Sequence, residues 1–237
     1  MKQKEKPTRL FDIVDIRKHQ GRRPCFRFAD GAIGADEYIR RSMLLSVALV
    51  KRGLRRGETV ALISDNRPEW NIVDVGVLQA GGVLLPLCKG LSAEEYVESL
   101  AHVRTLIIED AEILSRFRIL MPQLGTLETV VTIEKVDGVL SIDEMMAEGE
   151  SDTAAATVQQ RRNMVTTDDV CTLVYYGGGT YARLTHRMIL KDIDDILAAE
   201  TDGRRTARGD MALCTRYGRA SNYASQLAGG TVCYTED

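Results

Sequence analysis

Residues 59–87 read TVALISDNRPEWNIVDVGVLQAGGVLLPL, and this stretch decides the fold. TVALIS is a short apolar run bounded by Asp65-Asn66-Arg67-Pro68. Its length and flanks suit a buried strand better than a helix. Pro68 opens a helix, because a first-turn residue has no use for its missing N–H. Trp70, Ile72, Val73, Val77 and Leu78 follow on that helix, and Gly81-Gly82 ends it. VLLPL, residues 83–87, is the next strand. Pro86 brings no N–H to a ladder, so the strand is expected to lie at an edge or to end there.

The same alternation continues on both sides. Upstream, Ile39, Met43, Leu44, Val47 and Val50 fall at helical spacing before Gly53. Downstream, Ser92 with Glu95 forms a capping box, so a helix starts at Ala93 and runs to near His102. TLIIED (105–110) reads as a strand, AEILSRFRIL (111–120) as a helix and ETVVTI (128–133) as a strand. Such alternation implies parallel strands joined by crossover helices. The expected class is α/β, a doubly wound, mostly parallel sheet flanked by helices. Residues 148–169 are polar, small and aperiodic, and read as an exposed connector. The expected division is a first lobe over 1–148, a connector over 149–169, and a second, incomplete lobe over 170–237.

Composition narrows the functional classes. The 237 residues are 44% hydrophobic, enough for a sizeable core, and the net charge is -3. That balance, with only short dispersed basic pairs, offers no surface for nucleic acid. No apolar run reaches the roughly 18 residues a membrane span needs. MKQKEKPTRL at the start has no apolar stretch after its charges, so no secretory leader is read. Cys25, Cys88, Cys171, Cys214 and Cys233 are odd in number, widely spaced and free of CxxC pairs. Neither a zinc site nor a disulfide framework is indicated, and reduced thiols in a cytoplasmic protein are expected.

The chemistry-bearing stretch is YYGGGTYARLTHR, residues 175–187. It follows the β-branched run VCTLVYY and precedes Ile189, Ile193, Ile196 and Leu197, which share one helical face. Strand, glycine loop and helix together would turn bare N–H groups and a helix dipole toward an anion. Gly177, Gly178 and Gly179 allow close approach, and Thr180 adds a hydroxyl donor. A tight turn accounts for the glycines alone more simply. The Walker pattern GxxxxGK[ST] is absent, and GGGTYA lacks the third glycine position of the dinucleotide fingerprint.

Taken together, these blocks resemble the N-terminal part of AMP-forming long-chain acyl-CoA synthetases, in the adenylate-forming ligase superfamily. Arg67-Pro68-Glu69-Trp70 matches that family's ENRPEW stretch. DDVCTLVYYGGGTYARLTHRMIL is similar to its phosphate loop, DDLATLIYTSGTTGxPKGVMLTHRNIL. GDMALC and LAGGTVCYTED are similar to its next block. The resemblance implies ATP with Mg²⁺ as cofactors and a residual phosphate site at Gly177, Gly178, Gly179, Thr180 and Arg183. The departures bear on activity. From Tyr175 to His186 the chain is about four residues shorter than the family pattern, and Arg183 stands where a lysine is usual. The sequence also stops before the segments that carry the family's adenine pocket, acidic magnesium ligand and C-terminal lysine. A truncated relative, inactive alone and without catalytic residues of its own, is therefore expected. One half of a split ligase completed by a partner chain, and a homodimeric interaction module, are the alternatives.

The remaining constellations read as structural. His19, His102 and His186 are far apart with no metal-ligand spacing, and His186 suits capping or packing at a helix start. Asp192, Asp194 and Asp195 fit the solvated side of a helix. Ser64-Asp65-Asn66 ends a strand, and Arg208-Gly209-Asp210 spells an adhesion tripeptide by chance.

Overall fold

The computed structural model describes residues 6–21, 23–149, 152–199 and 206–234. The chain runs α1 (Asp12–Lys18), β1 (Phe26–Phe28), β2 (Gly31–Ile33), α2 (Ala35–Lys51), β3 (Thr59–Ile63), α3 (Pro68–Gln79) and β4 (Val83–Leu87). It continues through α4 (Ala93–Leu100), β5 (Thr105–Ile108), α5 (Ala111–Leu120), β6 (Thr129–Thr132), α6 (Ile142–Glu148) and α7 (Asp152–Met164). Then come β7 (Val170–Gly177), β8 (Thr180–Thr185), α8 (His186–Ala199), β9 (Thr206–Arg208), α9 (Arg216–Leu227) and β10 (Thr231–Tyr234).

The larger sheet has the order β6-β5-β3-β4-β7-β8, parallel throughout except for β8, which returns antiparallel to β7. Alternate residues of its strands enter two apolar layers, as a period of two requires. Val60, Leu62, Leu84, Ile107 and Val131 meet Leu45, Leu49, Trp70 and Val73 of α2 and α3 on one face. Ala61, Ile63, Leu85, Leu87, Leu106 and Ile108 meet Tyr96, Leu100, Ile113 and Phe117 of α4 and α5 on the other. Both faces are covered, which is why these strands are written as unbroken apolar runs. The doubly wound architecture is as expected. A smaller sheet, β2-β1-β10-β9, stands beside it.

Helix ends are set locally. Ser92 accepts from Glu95 N–H while the Glu95 carboxylate accepts from Ser92 N–H, closing the expected capping box. Ser141 and Glu144 repeat the device at α6. Pro68 occupies the first turn of α3, a helix buried on nearly every side between the two sheets.

Two expectations are corrected, and a third holds in one of its forms. Pro86 lies in an interior strand, between β3 and β7, not at an edge, and β4 ends one residue later at Leu87. The proline is tolerated because the recorded pairing with β7 is at Leu84↔Thr172, and Pro86 lies beyond it. The connector contains a helix, α7, packed on α2 and α3. Val158 is buried there, and Arg161 donates to the carbonyls of Leu54 (2.7 Å) and Ala80 (3.0 Å) at two chain turns. Alanines and long arginine stems cover apolar surface without an apolar period, so the pattern concealed the helix. Finally, each sheet draws strands from both sides of the expected 149–169 division: β7 pairs with β4, and β1 with β10.

Cys88 and Cys214 form a disulfide with Cα atoms 5.4 Å apart, against the expectation of free thiols. Their 126-residue separation hides a proximity that only the fold creates, where the end of β4 meets the lead-in to α9. Cys25 and Cys171 are buried, and burial pushes their thiols up to about 11 and about 12, so both stay protonated.

Candidate functional site at the carboxyl edge of the large sheet

In a doubly wound sheet, ligands collect where helices following neighbouring strands leave to opposite faces. Here that crevice lies beyond the carboxyl ends of β3 and β4, since α3 packs on one face and α4 on the other. The segment after β3 organises it. Arg67 donates to Glu69 (2.9 Å), Glu109 (3.3 Å) and Glu134 (2.9 Å), tying three loops together. Lys89, just beyond β4, reaches Asp65 (2.6 Å) and Glu109 (2.5 Å) across the crevice. Asn66 donates to the carbonyls of Gly209 (2.6 Å) and Met211 (2.9 Å) and accepts from Leu213 N–H (2.9 Å). These groups satisfy one another, and the structural reading of Ser64-Asp65-Asn66 agrees with that geometry.

The glycine stretch reaches the same edge, because β7 runs parallel to β4. It is not the expected loop from strand to helix. Gly177 pairs with Thr180 across a two-residue β-hairpin, and α8 begins only after β8. Gly178 (φ 57°) and Gly179 (φ 67°) both sit in the left-handed region, the pattern of a type I′ turn. Ideal Cβ atoms at these positions would meet nothing within 4 Å, so torsion and not close packing requires glycine. Gly178→Ala is expected to cost about 1–2 kcal/mol and Gly178→Asn distinctly less, read from denaturant midpoints.

Below the tip the hairpin is tied to α4. Tyr175 OH donates to Glu98 Oε2 (2.7 Å), and Tyr181 OH lies 3.2 Å and 3.1 Å from the carbonyls of Glu98 and Ser99. The two rings meet at a tilt of 54° with centroids 5.6 Å apart. Lost hydration, then the bond to Glu98, push the Tyr175 phenol up to about 12. Thr180 is exposed beside the tip. Arg183 stands opposite Leu173, four residues along the strand from Gly179. At about 3.3 Å per residue that is roughly 13 Å from the turn. The glycines and Thr180 are thus together at one end of the hairpin, and Arg183 lies toward the other.

Two buried polar arrangements lie in the core, and the first escaped sequence reading. Asp74 of α3 accepts from Arg219 Nε (2.8 Å) and NH2 (2.5 Å) and from Tyr223 OH (2.8 Å), both on α9. Burial, then the Asp74 carboxylate, hold the Tyr223 phenol well above its ordinary value. His186 is 2% exposed and its Nδ1 accepts from Leu10 N–H at 3.1 Å. Burial, then Arg219, push its imidazole down to about 4. Packing at the helix start, as the sequence suggested, is its position. Of the three aspartates of α8, Asp192 pairs with Arg216 (2.6 Å), Asp194 with Lys6 (2.9 Å) and Asp195 with Lys191 (2.5 Å). Among the described residues no cluster of three His, Cys, Asp or Glu side chains could hold a metal, and no helix is long and apolar enough to cross a membrane.

A doubly wound, mostly parallel sheet with a glycine hairpin at its carboxyl edge defines the class as α/β. The AMP-binding enzyme family model matches residues 15–237, and the chain belongs to that family. It is 26% identical over 151 residues to the long-chain-fatty-acid–CoA ligase ACSBG2 of Xenopus laevis, covering 61% of this chain and 20% of that protein. ACSBG2 of Mus musculus is 33% identical over 88 residues, 36% of this chain and 13% of the relative. The chain therefore spans about a fifth or less of the length of these curated relatives. Among solved structures, a putative long-chain-fatty-acid CoA ligase from Rhodopseudomonas palustris superposes with TM-score 0.79 at 18% identity, over 96% of this chain and 57% of that one. VinN in complex with 3-methylaspartate gives TM-score 0.74 at 20% identity, over 97% of this chain and 63% of that one. These likenesses establish the shared fold.

Proposed function

We propose that this chain carries the scaffold of an AMP-dependent acyl-CoA ligase and, by itself, does not activate a carboxylate. The hairpin tip carries the reading. A loop that wraps a triphosphate needs several N–H groups converging on it and a cation within reach. Here the tip is closed by two residues, Gly178 and Gly179, with Arg183 far down the strand. The nearby cations Lys89 and Arg216 are already paired with carboxylates. ATP with Mg²⁺ is what family membership implies, and the residues at this tip do not fit it. No step is derived through it. Gly177, Gly178, Gly179 and Thr180 are retained as a weak anion contact at most, with Arg183 outside it.

A second reading is favoured by one observation. Tyr176 (70% exposed), Tyr217 (62%) and Met211 (41%) stand uncovered near the same edge. Such apolar surface favours a further polypeptide segment lying there, from a complementary ligase lobe or a second copy. Titration of the purified chain with Mg·ATP in a calorimeter tests the main reading. No saturable binding tighter than about 100 μM (about −5.5 kcal/mol) is expected. Binding tighter than that, lost in Gly178→Ala, would overturn it.

A further inference from the structure

A cavity of ≈ 410 Å³ lies at the base of the β7–β8 hairpin, lined by Arg56, Arg183, His186, Asp168 and Asp169 among others. Val83 and Val170, which open β4 and β7, form part of its wall. It therefore sits at the amino ends of these strands, opposite the carboxyl edge described above. We propose that it is a binding site for a small organic monoanion, a planar oxyanion on a short aliphatic body, separate from any nucleotide or acyl site of the ligase scaffold.

Two of the donors, His186 Nε2–H and the Arg183 guanidinium, have no protein acceptor among the described residues, and Arg56 is only loosely held. His186 is buried, and because Nδ1 accepts from Leu10 N–H, the neutral ring carries its proton on Nε2. No protein group among the described residues accepts that proton, and the ring lines the cavity. Arg183 has no carboxylate partner among the described residues. Arg56 comes no nearer than 3.8 Å to Asp169 and otherwise donates to Met164 O at 3.3 Å. The acidic groups facing the cavity are already engaged. Asp168 is held by Arg187 at 2.7 Å and 2.8 Å, and Asp169 accepts from Thr166 N–H at 2.9 Å.

Charge and shape then select the ligand. Of the charged groups that line it, Asp168 is paired with Arg187 outside the cavity and Asp169 lies 3.8 Å from Arg56, so Arg183 is the one cation without a carboxylate, which suits a monoanion and not a dianion. A guanidinium fork matches a planar oxyanion in two parallel bonds. Leu78, Val83, Val165 and Val170 supply the apolar side, which favours a hydrocarbon body over bare inorganic phosphate. The volume falls in the range of small-molecule sites.

Calorimetric titration of the whole chain with isovalerate, beside inorganic phosphate and 3-methylbutan-1-ol, tests this. Isovalerate is expected to bind with Kd of ~1 mM or tighter, and Arg183→Gln to weaken it at least about tenfold (~1.4 kcal/mol). The His186 imidazole resonances of the bound protein are expected to move. Arg183 is on an exposed edge, and Arg56→Gln serves as a second variant with the same expected weakening. Equal affinity in both variants and the unaltered chain, equal binding of the alcohol, or tighter binding of phosphate would each overturn the assignment.

Discussion

Asp74→Ala is expected to destabilise the protein by about 3–5 kcal/mol, the range for breaking a buried ion pair from one side. Asp74 is 0% and Arg219 2% exposed, and the carboxylate accepts three hydrogen bonds from α9. Removing it leaves a guanidinium in a low-dielectric interior with no anion, and Tyr223 OH with no acceptor. Arg219 NH1 already lacks a partner, so the remaining cation has nothing to turn to. The double variant Asp74→Leu with Arg219→Leu removes both charges and is expected to regain most of the loss, since apolar replacements of buried pairs are often neutral. Urea unfolding of Asp74→Ala, and of Asp74→Leu, Arg219→Leu and the double variant, measures this directly. Equal loss in single and double variants would show that helix packing, not the charge pair, joins α3 to α9.

Acidification is the second large effect, and its sign follows from His186. With the folded imidazole at about 4 against the ordinary 6.5, the unfolded chain takes up a proton that the folded chain refuses. Stability is therefore fully present above about pH 6.5 and falls as pH drops toward about 4, where the loss levels off. Between about pH 7.5 and about pH 5 the expected loss is about 2 kcal/mol. Most carboxylates with resolved shifts lie below their ordinary values and contribute only at lower pH. His186→Asn is expected to flatten the profile over this window even if it lowers stability overall. A wild-type denaturation midpoint that stays level from pH 7.5 to 5 would remove His186 as the titrating group.

Much of the sheet was legible from short apolar runs between turn residues. TVALI, VLLPL, TLII and TVVT are strands because both faces are covered, and Pro68, Ser92 and Glu95 fixed helix starts locally. What stayed hidden depends on distance along the chain. The 126-residue span of the disulfide, the pairing of β1 with β10 and the bond from Leu10 to His186 have no local signal. The hairpin is a different case. Gly178-Gly179 between VCTLVYYG and TYARLT carries a hairpin signal. The apolar face of Ile189, Ile193, Ile196 and Leu197 pointed instead to a helix directly after the glycines, where β8 intervenes. Similarity to the family's phosphate loop placed Arg183 beside the glycines, where strand geometry sets it apart.

This member of the AMP-binding enzyme family has its glycine stretch closed into a two-residue turn, and is proposed not to activate a carboxylate by itself. Fatty-acid-dependent exchange of labelled pyrophosphate into ATP by the purified chain, with Mg²⁺ supplied, tests it most directly. The expected rate equals that of the protein-free blank across short-, medium- and long-chain acids. Exchange that saturates with any of these acids and disappears in Gly178→Ala would contradict it.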